Sequence, residues 1–66
     1  MTSQEAIETS QQLFGAGSYA LEKVNRYPRF IVEDVFMRTI GQGNSYEEAI
    51  EDAVRIQAAK KEITNG

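Results

Sequence analysis

The sequence predicts an all-α fold, a single small helical domain over residues 1–66 with three helices and a short helical connector. Three observations predict it. Thr2 stands three residues before Glu5 and Ser45 three before Glu48, the spacing of a capping box, in which a hydroxyl and a carboxylate each accept from an amide at the start of a helix. Apolar residues recur at helical spacing after each pair. The middle segment opens on Pro28, closes on Gly41 and carries Arg29/Glu33 and Asp34/Arg38 four residues apart, which reads as a helix start, a helix stop and two favourable side-chain pairs.

The first helix is expected over about 3–14. Ala6, Ile7, Ser10, Leu13 and Phe14 form a narrow stripe, and Gly15-Ala16-Gly17-Ser18 breaks it. Residues 19–24 then read as a short helical turn opened by Ser18. Pro28 disfavours helix in Tyr27, just before it.

The second helix is expected over 28–40. On its wheel Ile31, Val32, Val35, Phe36 and Thr39 cluster, with Ile40 at one edge. Many of these residues are strand formers, so a small α+β fold with a strand at 35–40 is the alternative. The adjacent charges Glu33 and Asp34 favour the helix, because they would break a hydrophobic strand but suit a helix surface.

The third helix is expected over 46–63. Tyr46, Ala49, Ile50, Ala53, Ile56 and Gln57 share one side with Val54 at its margin. Acidic residues crowd its first two turns and Lys60 and Lys61 approach its end, as the helix dipole favours.

Composition bounds the function. With 66 residues, one small core rarely supplies more than about 3–5 kcal/mol, so support from self-association or a partner is expected. There is no cysteine for a disulfide and no histidine for a zinc site. The same absence removes the commonest acid/base and nucleophilic groups, and a serine or tyrosine nucleophile finds no Ser-x-x-Lys partner. A non-enzymatic protein without cofactor or metal is expected. Hydrophobic residues at 41% argue against disorder, and a net charge of −3 argues against non-specific attraction to nucleic acid or anionic lipid. No apolar run approaches the ~20 residues of a membrane span, and Met1-Thr2-Ser3-Gln4-Glu5 lacks the order of a signal peptide. A cytoplasmic location is expected.

The surface candidates follow from charge and apolar surplus. Lys23, Arg26 and Arg29, interleaved with Tyr19, Tyr27 and Phe30, form the basic and aromatic cluster, a composition suited to protein hot spots. Phe30 and Met37 lie one heptad apart and off the main face of the middle helix, in position for an interface. Partner-binding residues are thus expected to be Lys23, Arg26, Tyr27, Arg29, Phe30 and Met37. The four carboxylates Glu47, Glu48, Glu51 and Asp52 read as a solvated helix start rather than a cation site or a phosphate mimic, since no calcium-loop pattern accompanies them. Gly41-Gln42-Gly43-Asn44-Ser45 reads as a turn and cap, because Glu47 and Glu48 would repel a phosphate and no Walker lysine is present. Those residues also suit a major-groove recognition helix poorly.

The resulting expectation is a protein-binding module: an inhibitor, adaptor or accessory subunit, of the kind small viral or mobile-element reading frames encode, with a homodimer as the simplest assembly. A nucleic-acid regulator using Lys23, Arg26 and Arg29 and a structural homo-oligomer are the alternatives.

Overall fold

The capping pair at the N-terminus acts as its spacing predicts. In the structure, a computed structural model that describes the backbone of residues 1–65 and the side chains of residues 1–60, the Glu5 amide donates to Thr2 Oγ1 at 3.1 Å and the Thr2 amide to Glu5 Oε1 at 2.8 Å. These bonds start helix α1, Ser3–Phe14. The Thr2 amide, then the Thr2 hydroxyl, hold the Glu5 carboxyl below its usual range. Gly15, at φ 115°, closes α1 in a backbone region few other residues enter. The second capping pair is split: the Glu48 amide donates to Ser45 Oγ, but the Glu48 carboxylate takes the Asn44 amide instead of the Ser45 amide. Helix α2 still begins where expected and runs Tyr46–Asn65.

Between the helices the expected fold is overturned. Residues 28–40 are not a helix and residues 19–24 are not a helical turn; the chain forms strands β1 (Tyr19–Glu22), β2 (Phe30–Glu33) and β3 (Thr39–Gly43). The protein is α+β rather than an all-α helical bundle. The alternative strand at 35–40 is also displaced, since residues 34–38 make the turn between β2 and β3. The physical reason lies in the charges taken to favour a helix. Glu33 ends β2 and Asp34 opens the turn, so the acidic pair terminates a short strand instead of interrupting a long one. Arg29 pairs with Glu22 at 3.8 Å, not with Glu33. Asp34 and Arg38 do meet, at 3.1 Å, but across the turn.

The sheet is an antiparallel meander in the order β1-β2-β3. Ala20 opposes Val32 and Val32 opposes Gly41, which puts all three on one face. Both helices pack on that face, around a core of Ala6, Ala20, Val32, Ile40, Ala49, Ile50 and Ala53. The register slips by one residue opposite Val32 and Glu33, and this bulge turns Ile40 into the core together with Gly41. Small residues let α2 lie directly on β3. A Cβ at Gly41 would stand 2.5 Å from the Ala49 carbonyl oxygen and the Ala53 amide nitrogen, and one at Gly43 would stand 2.5 Å from Glu48 Cβ. The exposed edge of β3 is capped from α2, where Asp52 accepts from the Gln42 amide at 3.1 Å.

The other face carries Ile31, which is 1% exposed although it lies outside the helix-facing core. It sits in register between Leu21 and Gln42. The Arg26 guanidinium donates to Gln42 Oε1 at 2.9 Å, which carries the β1–β2 loop across the same face. That loop contains a cis Tyr27–Pro28 peptide. Both helices run from this loop toward the β2–β3 turn: the N-terminal ammonium meets Glu47 at 3.1 Å, and Phe30 packs edge-on against Tyr46 at 4.7 Å. Among the described residues no helix is long and apolar enough to cross a membrane.

Among the described residues, two interior hydroxyls lack partners. Ser10 and Ser18 are fully buried, and neither oxygen has a hydrogen-bond partner among the described residues. Ser10→Ala is therefore expected to raise stability by about 1 kcal/mol, by removing a buried polar atom and improving helix propensity. Urea denaturation checks this, and a loss of stability would show that the hydroxyl is bonded in solution.

Candidate functional site

The β2–β3 turn is built around one carboxylate. Asp34 Oδ1 accepts from the Phe36 amide at 2.9 Å and the Arg38 amide at 3.0 Å, while Oδ2 accepts from Arg38 Nε at 3.1 Å. An Asp34 amide to Arg38 carbonyl bond closes the loop at 2.9 Å. The Arg38 amide, then the Phe36 amide, and the guanidinium hold the Asp34 carboxyl below its ordinary range. A depressed carboxyl contributes above its unfolded pKa and is lost as pH falls through its folded one, so the turn is fully tied at neutral pH. Val35 anchors the turn against the α1–β1 connector, where a Cβ at Gly17 would stand 3.0 Å from Val35 Cγ1.

What this turn holds up is apolar. Phe36 is 72% exposed and Met37 80% exposed. Met37 also adopts φ 65°, a left-handed backbone that methionine seldom takes. The Arg38 guanidinium lies over the Phe36 ring, 5.1 Å from its centroid.

Beside the turn runs a half-open groove of about 660 Å³. Leu13 and Phe14 from the end of α1 form one wall, Val54, Gln57, Ala58 and Lys60 from α2 form another, and Asp34, Val35, Phe36, Arg38 and Ile40 close it. Leu13, Val35 and Val54 are each about half exposed, so the apolar surface continues from the turn into the groove.

The six partner-binding candidates divide between the two ends of the sheet. Met37 stands on the turn; Lys23, Arg26, Tyr27 and Arg29 lie in the β1–β2 loop at the opposite end of β2, and Phe30 at that end packs against Tyr46 and the core. Phe30 and Met37 therefore share no face. Within the basic cluster Arg26 is bonded to Gln42 and Arg29 faces Glu22, while Tyr27 is 82% exposed. The acidic start of α2 is occupied with the fold: Glu47 meets the N-terminus, Glu48 caps Asn44, and Asp52 holds the Gln42 amide and Arg55. Its own backbone amide, then the N-terminal ammonium, lowers the Glu47 carboxyl below its usual range.

Sequence reasoning missed Leu13, Val54 and Arg38 as site residues and placed Val35 and Phe36 in a helical core. The available signal was the run Val35-Phe36-Met37 between Asp34 and Arg38, three apolar residues inside a spacing that also suits an aspartate-closed turn. Comparison with protein-family models, curated proteins and solved structures finds no match to this chain.

Proposed function

We propose that this chain is a non-enzymatic protein-binding module, an adaptor or accessory subunit, whose working face is the β2–β3 turn with its adjoining groove. One observation carries the reading: a strained, 80% exposed Met37 stands beside a 72% exposed Phe36 on a turn tied by Asp34. Glycine or asparagine suits the backbone at position 37 better, and neither side chain is needed to close the core. Rigid, exposed aromatic and methionine side chains next to an apolar groove are the composition of a binding hot spot. An aqueous, cytoplasmic setting belongs to this reading.

The double variant Phe36→Ser/Met37→Gly tests it. Met37→Gly relieves the left-handed strain, so the fold is expected to hold its stability within about 1 kcal/mol. Proteins retained by the immobilised wild type in quantitative capture are expected to be lost on the double variant. Retention unchanged by that variant but abolished by Lys23→Glu/Arg29→Glu would move the site to the β1–β2 loop and overturn the reading. A salt-dependent shift of RNA or DNA would favour the nucleic-acid alternative instead.

A further inference from the structure

Arg38 is held in a way that leaves its recognising end open. Its Nε is bonded to Asp34 Oδ2 and its plane lies on the Phe36 ring, while its side chain remains 71% exposed. Both terminal nitrogens have no partner among the described residues. Asp34 is spent, since its two oxygens already accept from two amides and from Nε. A guanidinium fixed at two points, with its terminal fork unfilled, is arranged to receive a carboxylate in the paired geometry that arginine favours. The loss of side-chain freedom that weakens ordinary surface ion pairs has already been met here by the turn.

The charge around the groove agrees. Among the described residues its ionisable lining consists of Arg38, Lys60 and Asp34, and Asp34 is already satisfied within the turn. We infer that the groove takes an amphipathic segment of a partner protein in which an aspartate or glutamate side chain adjoins apolar residues, the apolar residues packing against Phe36, Val54 and Leu13 and the carboxylate binding the Arg38 fork. A second copy of this chain fits less well. A two-fold contact centred on the groove would set Arg38 of one copy against Arg38 of the other.

This inference rests on the proposed docking face, and the two fail differently. A random peptide display library is selected on the wild-type protein and counter-selected on Phe36→Ser/Met37→Gly, so that the surviving peptides depend on the groove. The best survivor is then compared with its twin in which the acidic residue is replaced by its amide. Survivors are expected to carry Asp or Glu beside apolar residues, and the amide twin to bind wild type about three- to tenfold more weakly. On Arg38→Met the peptide and its twin are expected to bind alike. Groove-dependent survivors without a carboxylate, or a twin that binds wild type as well as the parent, would overturn the inference and leave the docking face standing. No survivors after counter-selection would overturn both. A mass that doubles with concentration and returns to monomer in Phe36→Ser/Met37→Gly would assign the groove to a second copy, and would also overturn the carboxylate-bearing partner.

Discussion

Gly41→Ala is expected to leave the chain unfolded at room temperature. The added Cβ would lie 2.5 Å from the Ala49 carbonyl oxygen, 2.5 Å from the Ala53 amide nitrogen and 2.6 Å from Ala53 Cβ. Two of these three are backbone atoms of α2, so no rotamer change relieves the overlap. Strand β3 must bend away or the helix must lift by about an ångström, and either movement opens the contacts among Val32, Ile40, Ala49 and Ala53 that make up the core. Overpacking typically costs about 1–3 kcal/mol where side chains can adjust, and more where backbone must move. A chain of this length has about 3–10 kcal/mol in total. Gly43→Ala meets the same kind of obstacle: its Cβ would lie 2.5 Å from Glu48 Cβ and 2.8 Å from the Glu48 carbonyl carbon and the Ala49 amide nitrogen, so the first turn of α2 would have to move and a large loss is expected there too. Far-ultraviolet circular dichroism and urea titration check both. A cooperative Gly41→Ala transition within about 1 kcal/mol of wild type would mean that α2 does not lie on β3 as described. Adding Ala53→Gly removes only the side-chain overlap, so no rescue is expected.

Ile31→Ala is expected to cost about 3 kcal/mol. The size of the effect distinguishes two pictures of the sheet. On an open face a strand isoleucine in a three-stranded sheet is largely hydrated, and its truncation costs little. Here Ile31 is 1% exposed and lies on the face away from the helices, the face that the β1–β2 loop crosses where Arg26 bonds Gln42. Arg26→Ala, which removes one exposed hydrogen bond, is expected to cost less than about 1 kcal/mol on its own. Urea denaturation of the two variants, with hydrogen exchange at Asn25 and Tyr27, reads both. A loss below about 1 kcal/mol at Ile31 would show that the loop leaves that face open in solution.

The helices were legible in the residues because what makes them is local. Thr2 and Glu5, Ser45 and its following turn, and the stripe of Tyr46, Ala49, Ile50 and Ala53 all act within one or two turns of each other. The strands were not legible for the opposite reason. Each has four or five residues, too few to display a period, and each is stabilised by pairing with another strand, with partners six to fourteen positions away in the chain. Glu33 and Asp34 carry the same charges whether they interrupt a strand or end one, and only the pairing of Glu33 with Thr39 decides it. Gly41 illustrates the ambiguity: as a local signal it stops a helix, whereas in the fold it is small because α2 crosses it.

The candidate site was harder still to read, since Leu13, Arg38 and Val54 come from three elements and meet only when both helices dock on one face of the sheet. The basic cluster was visible as composition, but its separation from Met37 follows from β2 standing between the loop and the turn.

By itself, then, the sequence determined two capped helices at its ends, the small-residue stripe of α2, an acidic surface and the absence of histidine and cysteine chemistry, because these depend on neighbouring residues or on composition alone. The tertiary structure decided that the middle is a sheet, that Phe36 and Met37 stand outside the core, and that Arg38 is held beside a groove. Those outcomes depend on strand register and helix docking, which are set by contacts between residues distant in the chain.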